Sequence, residues 1–74
     1  MNFGTFIKNN RIIKEKSQKE MAKFLGVRRQ SVSRWENNLA FPSLEHLYDL
    51  SEFLEISMED VLINLRYSLM EKKG

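Results

Sequence analysis

Between positions 17 and 38 the chain carries four local signals that leave its backbone little freedom: Ser17, Glu20, Gly26 and the pair Asn37 and Asn38. Ser17 followed three residues later by Glu20 is a capping box, in which the hydroxyl takes an orphan helix N–H and the acid reaches back to the cap. A helix is therefore predicted to begin at Gln18. Met21, Ala22, Phe24 and Leu25 form its expected inner face, with Ala22 small enough for a second helix to approach closely. Gly26 ends it, because glycine alone enters the left-handed region without a steric cost. In the helix that follows, Val32 and Trp35, with Val27 just before it, point inward. Gln30, Ser33, Arg34 and Asn37 recur at steps of three and four on the other side, with Arg29 at the leading edge. Asn37 and Asn38 close it, asparagine being the best substitute for glycine at a left-handed cap.

The remaining sequence reads as helices packed around this pair. Phe3, Phe6, Ile7 and then Ile13 or Lys14 follow a helical step, with Asn2 as the cap. Arg11 lies close to that apolar face and needs a partner if it is buried. After the apolar loop Leu39, Ala40, Phe41 and Pro42, Ser43 caps a helix in which Leu44, Leu47, Leu50, Phe53 and Leu54 repeat beside Tyr48. Its outer face is acidic. Ser57 and Asp60 open a last helix whose apolar stripe is Met58, Val61, Leu62, Leu65 and Leu69, and Glu71 to Gly74 are expected to fray. The expected architecture is a single compact all-α domain over 1–74, with helices at about 3–15, 18–25, 29–37, 44–54 and 58–70.

A chain of 74 residues can bury only one small core. It has no Cys, hence neither a disulfide framework nor a thiolate metal site, and a reducing cytoplasm is the natural setting. No stretch approaches the roughly 18 consecutive apolar residues that a membrane span needs. The net charge of +2 conceals a division. Residues 1–36 hold nine basic against three acidic side chains, a net of +6, and residues 37–74 hold three against seven, a net of −4. A basic half joined to an acidic half suggests one face that meets phosphates and another that faces solvent or a protein partner.

Catalytic constellations are missing. His46 is the only histidine and has no companion at metal-ligand spacing, so it is assigned to the surface of the fourth helix. Carboxylates lie on solvent faces, and neither a Gly-rich phosphate loop nor a nucleophile with a base is present. No enzyme activity, cofactor or metal is expected. Trp35 shares the inward stripe with Val32 and reads as core rather than as a base-stacking platform.

Two short helices joined at Gly26, apolar on one side and Arg/Gln/Ser on the other, have the layout of a helix-turn-helix. Arg11, Ser17, Gln18, Ala22, Leu25, Gly26, Val27, Val32, Trp35, Glu36, Pro42 and Leu47 stand in the order and spacing of the phage lambda repressor and Cro type, the Xre family. Over about residues 3–65 the chain resembles that family. The resemblance implies a five-helix lambda-repressor-like fold with the third helix in the major groove of double-stranded DNA. It implies base reading by Arg29, Gln30, Ser33 and Arg34, with Arg suited to guanine O6 and N7 and Gln to adenine N6 and N7. Gln18 falls where relatives grip a phosphate, and Lys14, Lys19, Lys23, Arg28, Asn37 and Asn38 complete the expected backbone contacts. Arg11 and Glu36 match a family pair that forms an ion pair between helices one and three.

Departures from the family pattern are informative too. Glu15 and Lys16 stand where relatives often have Gly and an apolar residue, Glu55 stands where Gly or Asn is common, and Arg28 replaces the usual Ser or Thr cap. Leu39 and Phe41 make the loop after the recognition helix unusually apolar, fit either for the core or for a partner. The apolar stripe of the last helix runs past the resemblance, so Leu65, Tyr67, Leu69 and Met70 are the expected homodimer interface. The function so implied is sequence-specific transcription regulation, and repression is the expected sign, because an isolated domain has no obvious surface for recruiting polymerase. The alternatives are an antitoxin whose acidic half binds a toxin, and an interaction module that has lost DNA binding.

Overall fold

The computed structural model describes residues 2–71. Five helices follow one another: α1 (Phe3–Ile13), α2 (Gln18–Leu25), α3 (Arg29–Glu36), α4 (Leu44–Leu54) and α5 (Met58–Glu71). Among the described residues there is no strand, and no helix is long and apolar enough to cross a membrane. The expectation for residues 72–74 lies outside the described residues. Each helix gives side chains to one core: Phe3 and Ile7, Met21 and Leu25, Val32 and Trp35, Leu47, Leu50 and Leu54, and Val61. Full burial of such a side chain is worth roughly 1.5–3 kcal/mol, so the core holds the helices in place although each is too short to persist alone.

Four helices end in the same way. Beyond the last turns of α1, α2, α3 and α4, the residues Glu15, Gly26, Asn38 and Glu55 adopt left-handed backbone, with φ of 56°, 71°, 59° and 56°. In each case the next N–H donates to a carbonyl five residues back: Lys16 to Arg11, Val27 to Ala22, Leu39 to Arg34 and Ile56 to Ser51. This is the Schellman closure, normally built on glycine. The early stop of α1 at Ile13, rather than about Glu15, is this motif acting, with Glu15 already left-handed. Because a non-glycine residue there costs roughly 1–2 kcal/mol and glycine costs about 0.4–1 kcal/mol of unfolded-chain entropy, Glu15→Gly should stabilise the protein by about 0.5 kcal/mol. A rise in thermal midpoint checks this; a fall contradicts it.

The start of α1 is buried, which obliges its orphan N–H groups to find partners inside the protein. Phe3 N–H donates to the Ser68 hydroxyl on α5, Gly4 N–H to Asn38 Oδ1 at 3.0 Å and Thr5 N–H to Asn2 Oδ1 at 2.9 Å. Asn38 Nδ2 also donates to Asn2 Oδ1 at 2.9 Å. Gly4 itself lies against α3: a Cβ there would stand 2.4 Å from the Glu36 carbonyl oxygen and 2.7 Å from that of Trp35.

These demands reset several sequence expectations. Ser68 interrupts the apolar stripe of α5 and is buried nonetheless, because α1 needs an acceptor there, while Leu62 and Leu69 of that stripe are exposed. Leu65, expected at a dimer interface, packs half-buried against the core. Phe24 is turned outward and rests on Phe53, ring centroids 5.2 Å apart. Ile13 and Leu44 are both 73% exposed, since α1 and α4 have already turned from the core at those ends. Phe41 packs near Phe3 at 6.2 Å while Leu39 is exposed, which divides the apolar loop between core and solvent. His46 is half-buried against Trp35 rather than wholly at the surface.

Candidate nucleic-acid interface

The orientation of α3 is set by what its inner face buries. Val32, Trp35 and Glu36 are buried, so Arg29, Gln30 and Arg34 necessarily emerge on the opposite side, and all three are exposed. Ser33 is half-buried beside them. Asn37 folds back on the same helix, its Nδ2 donating to the Ser33 carbonyl at 2.8 Å and reaching the Ser33 hydroxyl at 3.4 Å. Arg34 donates to the Leu39 carbonyl at a long 3.4 Å, a contact weak enough to be released by a better acceptor.

A polar chain ties this face to the rest of the fold. Arg11 grips Glu36 with both arms of its fork, Nε to Oε2 at 2.7 Å and Nη2 to Oε1 at 3.0 Å, while its Nη1 donates to the Lys16 carbonyl at 2.8 Å. The pair is withdrawn from water, with side-chain exposures of 11% for Arg11 and 2% for Glu36. The hydrogen bond that Arg11 donates to Glu36 raises the guanidinium pKa against the opposing pull of desolvation. Gln18 Nε2 donates to Glu36 Oε1 at 2.9 Å, and Arg29 Nη1 donates to Gln18 Oε1 at 3.2 Å. Helices α1, α2 and α3 thus meet in one continuous network, with no buried side-chain nitrogen or oxygen left unpartnered among the described residues.

The expected phosphate ligands do not form one group. Lys19, Lys23 and Arg28 are exposed, Arg28 as the N-terminal cap of α3 with no side-chain capping bond. Lys14 is instead paired at the surface with Glu55 at 2.9 Å, and its hydrogen bond and charge hold the Glu55 carboxyl below its usual range. Asn38 has its side-chain amide engaged by Gly4 and Asn2, so its task here is joining α3 to the start of α1. Sequence reasoning missed Gly4. The available signal was a glycine inside a helical pattern, where it costs about 1 kcal/mol against alanine unless close packing requires it.

A short helix pair at a glycine turn, with one face sealed into a core and the other offering Arg29, Gln30 and Arg34, defines a helix-turn-helix domain. The Helix-turn-helix family matches residues 7–61, and the chain belongs to that family, in its lambda-repressor-like branch. The SPbeta prophage-derived uncharacterized HTH-type transcriptional regulator YonR of Bacillus subtilis (strain 168) is 40% identical over 60 residues, covering 81% of this chain and 56% of YonR. The chain therefore spans just over half the length of that relative. Its fold is similar to the DNA-binding domain of the P22 C2 repressor, with a TM-score of 0.79 at 29% identity over 84% of this chain and 82% of that one. It is also similar to SinR, a master regulator for biofilm formation solved in complex with DNA, with a TM-score of 0.73 at 34% identity over 81% of this chain and 97% of that one.

Proposed function

We propose that this chain is a sequence-specific double-stranded DNA-binding transcriptional regulator of the cytoplasm, which lays α3 in the major groove and represses by occupying its site. The observation that carries the reading is the exposed Arg29, Gln30 and Arg34 face on a helix whose other side is immobilised by Val32, Trp35 and the Arg11–Glu36 pair. Arginine forks match guanine O6 and N7, and glutamine matches adenine N6 and N7. Lys19, Lys23 and Arg28 supply sequence-independent attraction to phosphates. The likeness to a regulator solved with DNA supports the same docking. Repression requires only that the site be occupied, which a domain of this kind does by binding.

Two substitutions separate reading from attraction. Arg34→Ala should weaken binding to the preferred site by about 1–3 kcal/mol and relax preference at one position, whereas Lys19→Ala should weaken all sequences alike and reduce the salt slope by about 1. Titrations of cognate and scrambled duplexes at several salt concentrations read both effects. Identical behaviour of the two variants would remove this division of roles.

The binding unit in this reading is a two-fold homodimer. On α5 the side chains Ile63, Tyr67, Leu69 and Met70 are exposed, and Ile63, Arg66, Tyr67 and Met70 line a shallow groove of about 280 Å³. Such an apolar surface on a small domain favours pairing, and two copies would engage half-sites about one helical turn apart.

A further inference from the structure

Two helices carry apolar side chains on faces that the core leaves open, and the charges around them are opposite in sign. On α1, Ile12 and Ile13 are 53% and 73% exposed, with exposed Lys8 one turn before Ile12 on the same face and exposed Lys16 just past the helix end. No acid stands on α1. Arg11 and Lys14 are paired with Glu36 and Glu55, which leaves Lys8 and Lys16 against the single acid Glu15 to set the sign of this surface. On α4, Leu44 and Tyr48 stand one turn apart and are 73% and 57% exposed. Beside them are exposed Glu45, half-buried Asp49 and exposed Glu52, and α4 holds no lysine or arginine.

We infer that the outer face of α1 docks on the outer face of α4 in a second copy of this chain. The isoleucines meet Leu44 and Tyr48, and the lysines meet the carboxylates around them. Single exposed apolar residues are ordinary, but here each face holds two together beside charges of one prevailing sign. Apolar contact supplies the affinity of such a junction, while complementary charge orients it and rejects like-charged surfaces. Because all four apolar side chains are more than half exposed, neither face covers the other within one copy, and their match is met only between copies. The two faces differ, so the contact is heterologous: every copy added still offers one free α1 face or one free α4 face. Association therefore continues past two copies, whereas two-fold pairing through α5 stops at a dimer.

The test is sedimentation equilibrium of the full chain without DNA, up to hundreds of micromolar, so it stands apart from the tests of DNA reading. The weight-average mass should climb past that of a dimer at about 0.1 M salt and fall back at about 1 M, where the Debye length drops from about 10 to about 3 Å. One variant reverses the α1 face with Lys8→Glu and Lys16→Glu; another reverses the α4 face with Glu45→Lys and Glu52→Lys, near opposite ends of the helix so that their effects on its dipole offset. Each alone sets like charges together and should stop at a dimer or a monomer in low salt. Mixed in equal amounts, they restore opposite charges at every junction and should regain the growth. The inference is overturned if the unaltered chain stops at a monomer or dimer in low salt, if both reversed variants grow as it does, or if their mixture does not recover. Should a reversed variant fail to melt cooperatively, Ile13→Ser takes its place: it leaves the core and the charges untouched and should abolish growth, and growth that persists in it overturns the inference.

Discussion

Gly4→Ala is expected to destabilise the protein by about 3 kcal/mol, the upper part of the range for overpacking. Two effects oppose each other at this position. Alanine is the better helix former by about 1 kcal/mol, and on an exposed turn that gain would decide the sign. Here the new methyl would stand 2.4 Å and 2.7 Å from two backbone carbonyl oxygens of α3. Neither can rotate aside, so α1 must move away from α3. That movement also stretches the bond from Gly4 N–H to Asn38, leaving a donor at a buried helix start without its acceptor. A domain of this length has roughly 4–11 kcal/mol of total stability at the usual value per residue, so the loss is a large share. Urea unfolding should show a lower midpoint with little change in slope. Unchanged or increased stability would mean that the close approach is not a constraint.

The second large effect lies in the Arg11–Glu36 pair, and the two single substitutions should not cost the same. Arg11→Ala leaves the Glu36 carboxylate, with a side chain only 2% exposed, holding the Gln18 amide as its single remaining side-chain donor. Stranding a buried charge in this way costs about 3–5 kcal/mol. Glu36→Ala leaves a guanidinium at 11% exposure that still donates to the Lys16 carbonyl and can turn toward water. Its cost should be nearer 2 kcal/mol, the price of a lost charge-assisted bond. The double variant should cost less than the sum of the singles by about 1–3 kcal/mol. Strict additivity in denaturant unfolding would remove the pair from the account of what holds α3.

Features whose causes are local were legible in the sequence. Ser17 and Glu20 form both bonds of the capping box, with the Glu20 carboxyl lowered in pKa by its bonds to the Ser17 backbone and hydroxyl. Gly26 is left-handed where it ends α2. Arg11 beside an apolar stripe demanded an acid, and the family pattern pointed to Glu36 twenty-five positions away. What escaped the sequence were requirements imposed by one element on another. Ser68 and Asn38 serve N–H groups of α1, so a polar residue on α5 turns inward and an expected phosphate ligand is kept within the fold. Phe24 carries the inward pattern of α2 but meets Phe53 at the rim rather than the core. Gln18 was assigned to a phosphate by resemblance alone, and only the positions of Glu36 and Arg29 show that both ends of its amide are held. In the same way, Lys14 could not be separated from the other lysines until the left-handed turn at Glu55 put a carboxylate beside it.

The most direct test of the central claim, that α3 reads DNA sequence, is selection of bound duplexes from a random pool by the folded protein. The expected result is an enriched short motif, repeated with two-fold symmetry at half-sites about one helical turn apart, and relaxed at one position of each half-site when Arg34→Ala is used in its place. Recovery of the pool with no enriched motif, by a protein that melts cooperatively and binds the pool, would contradict it.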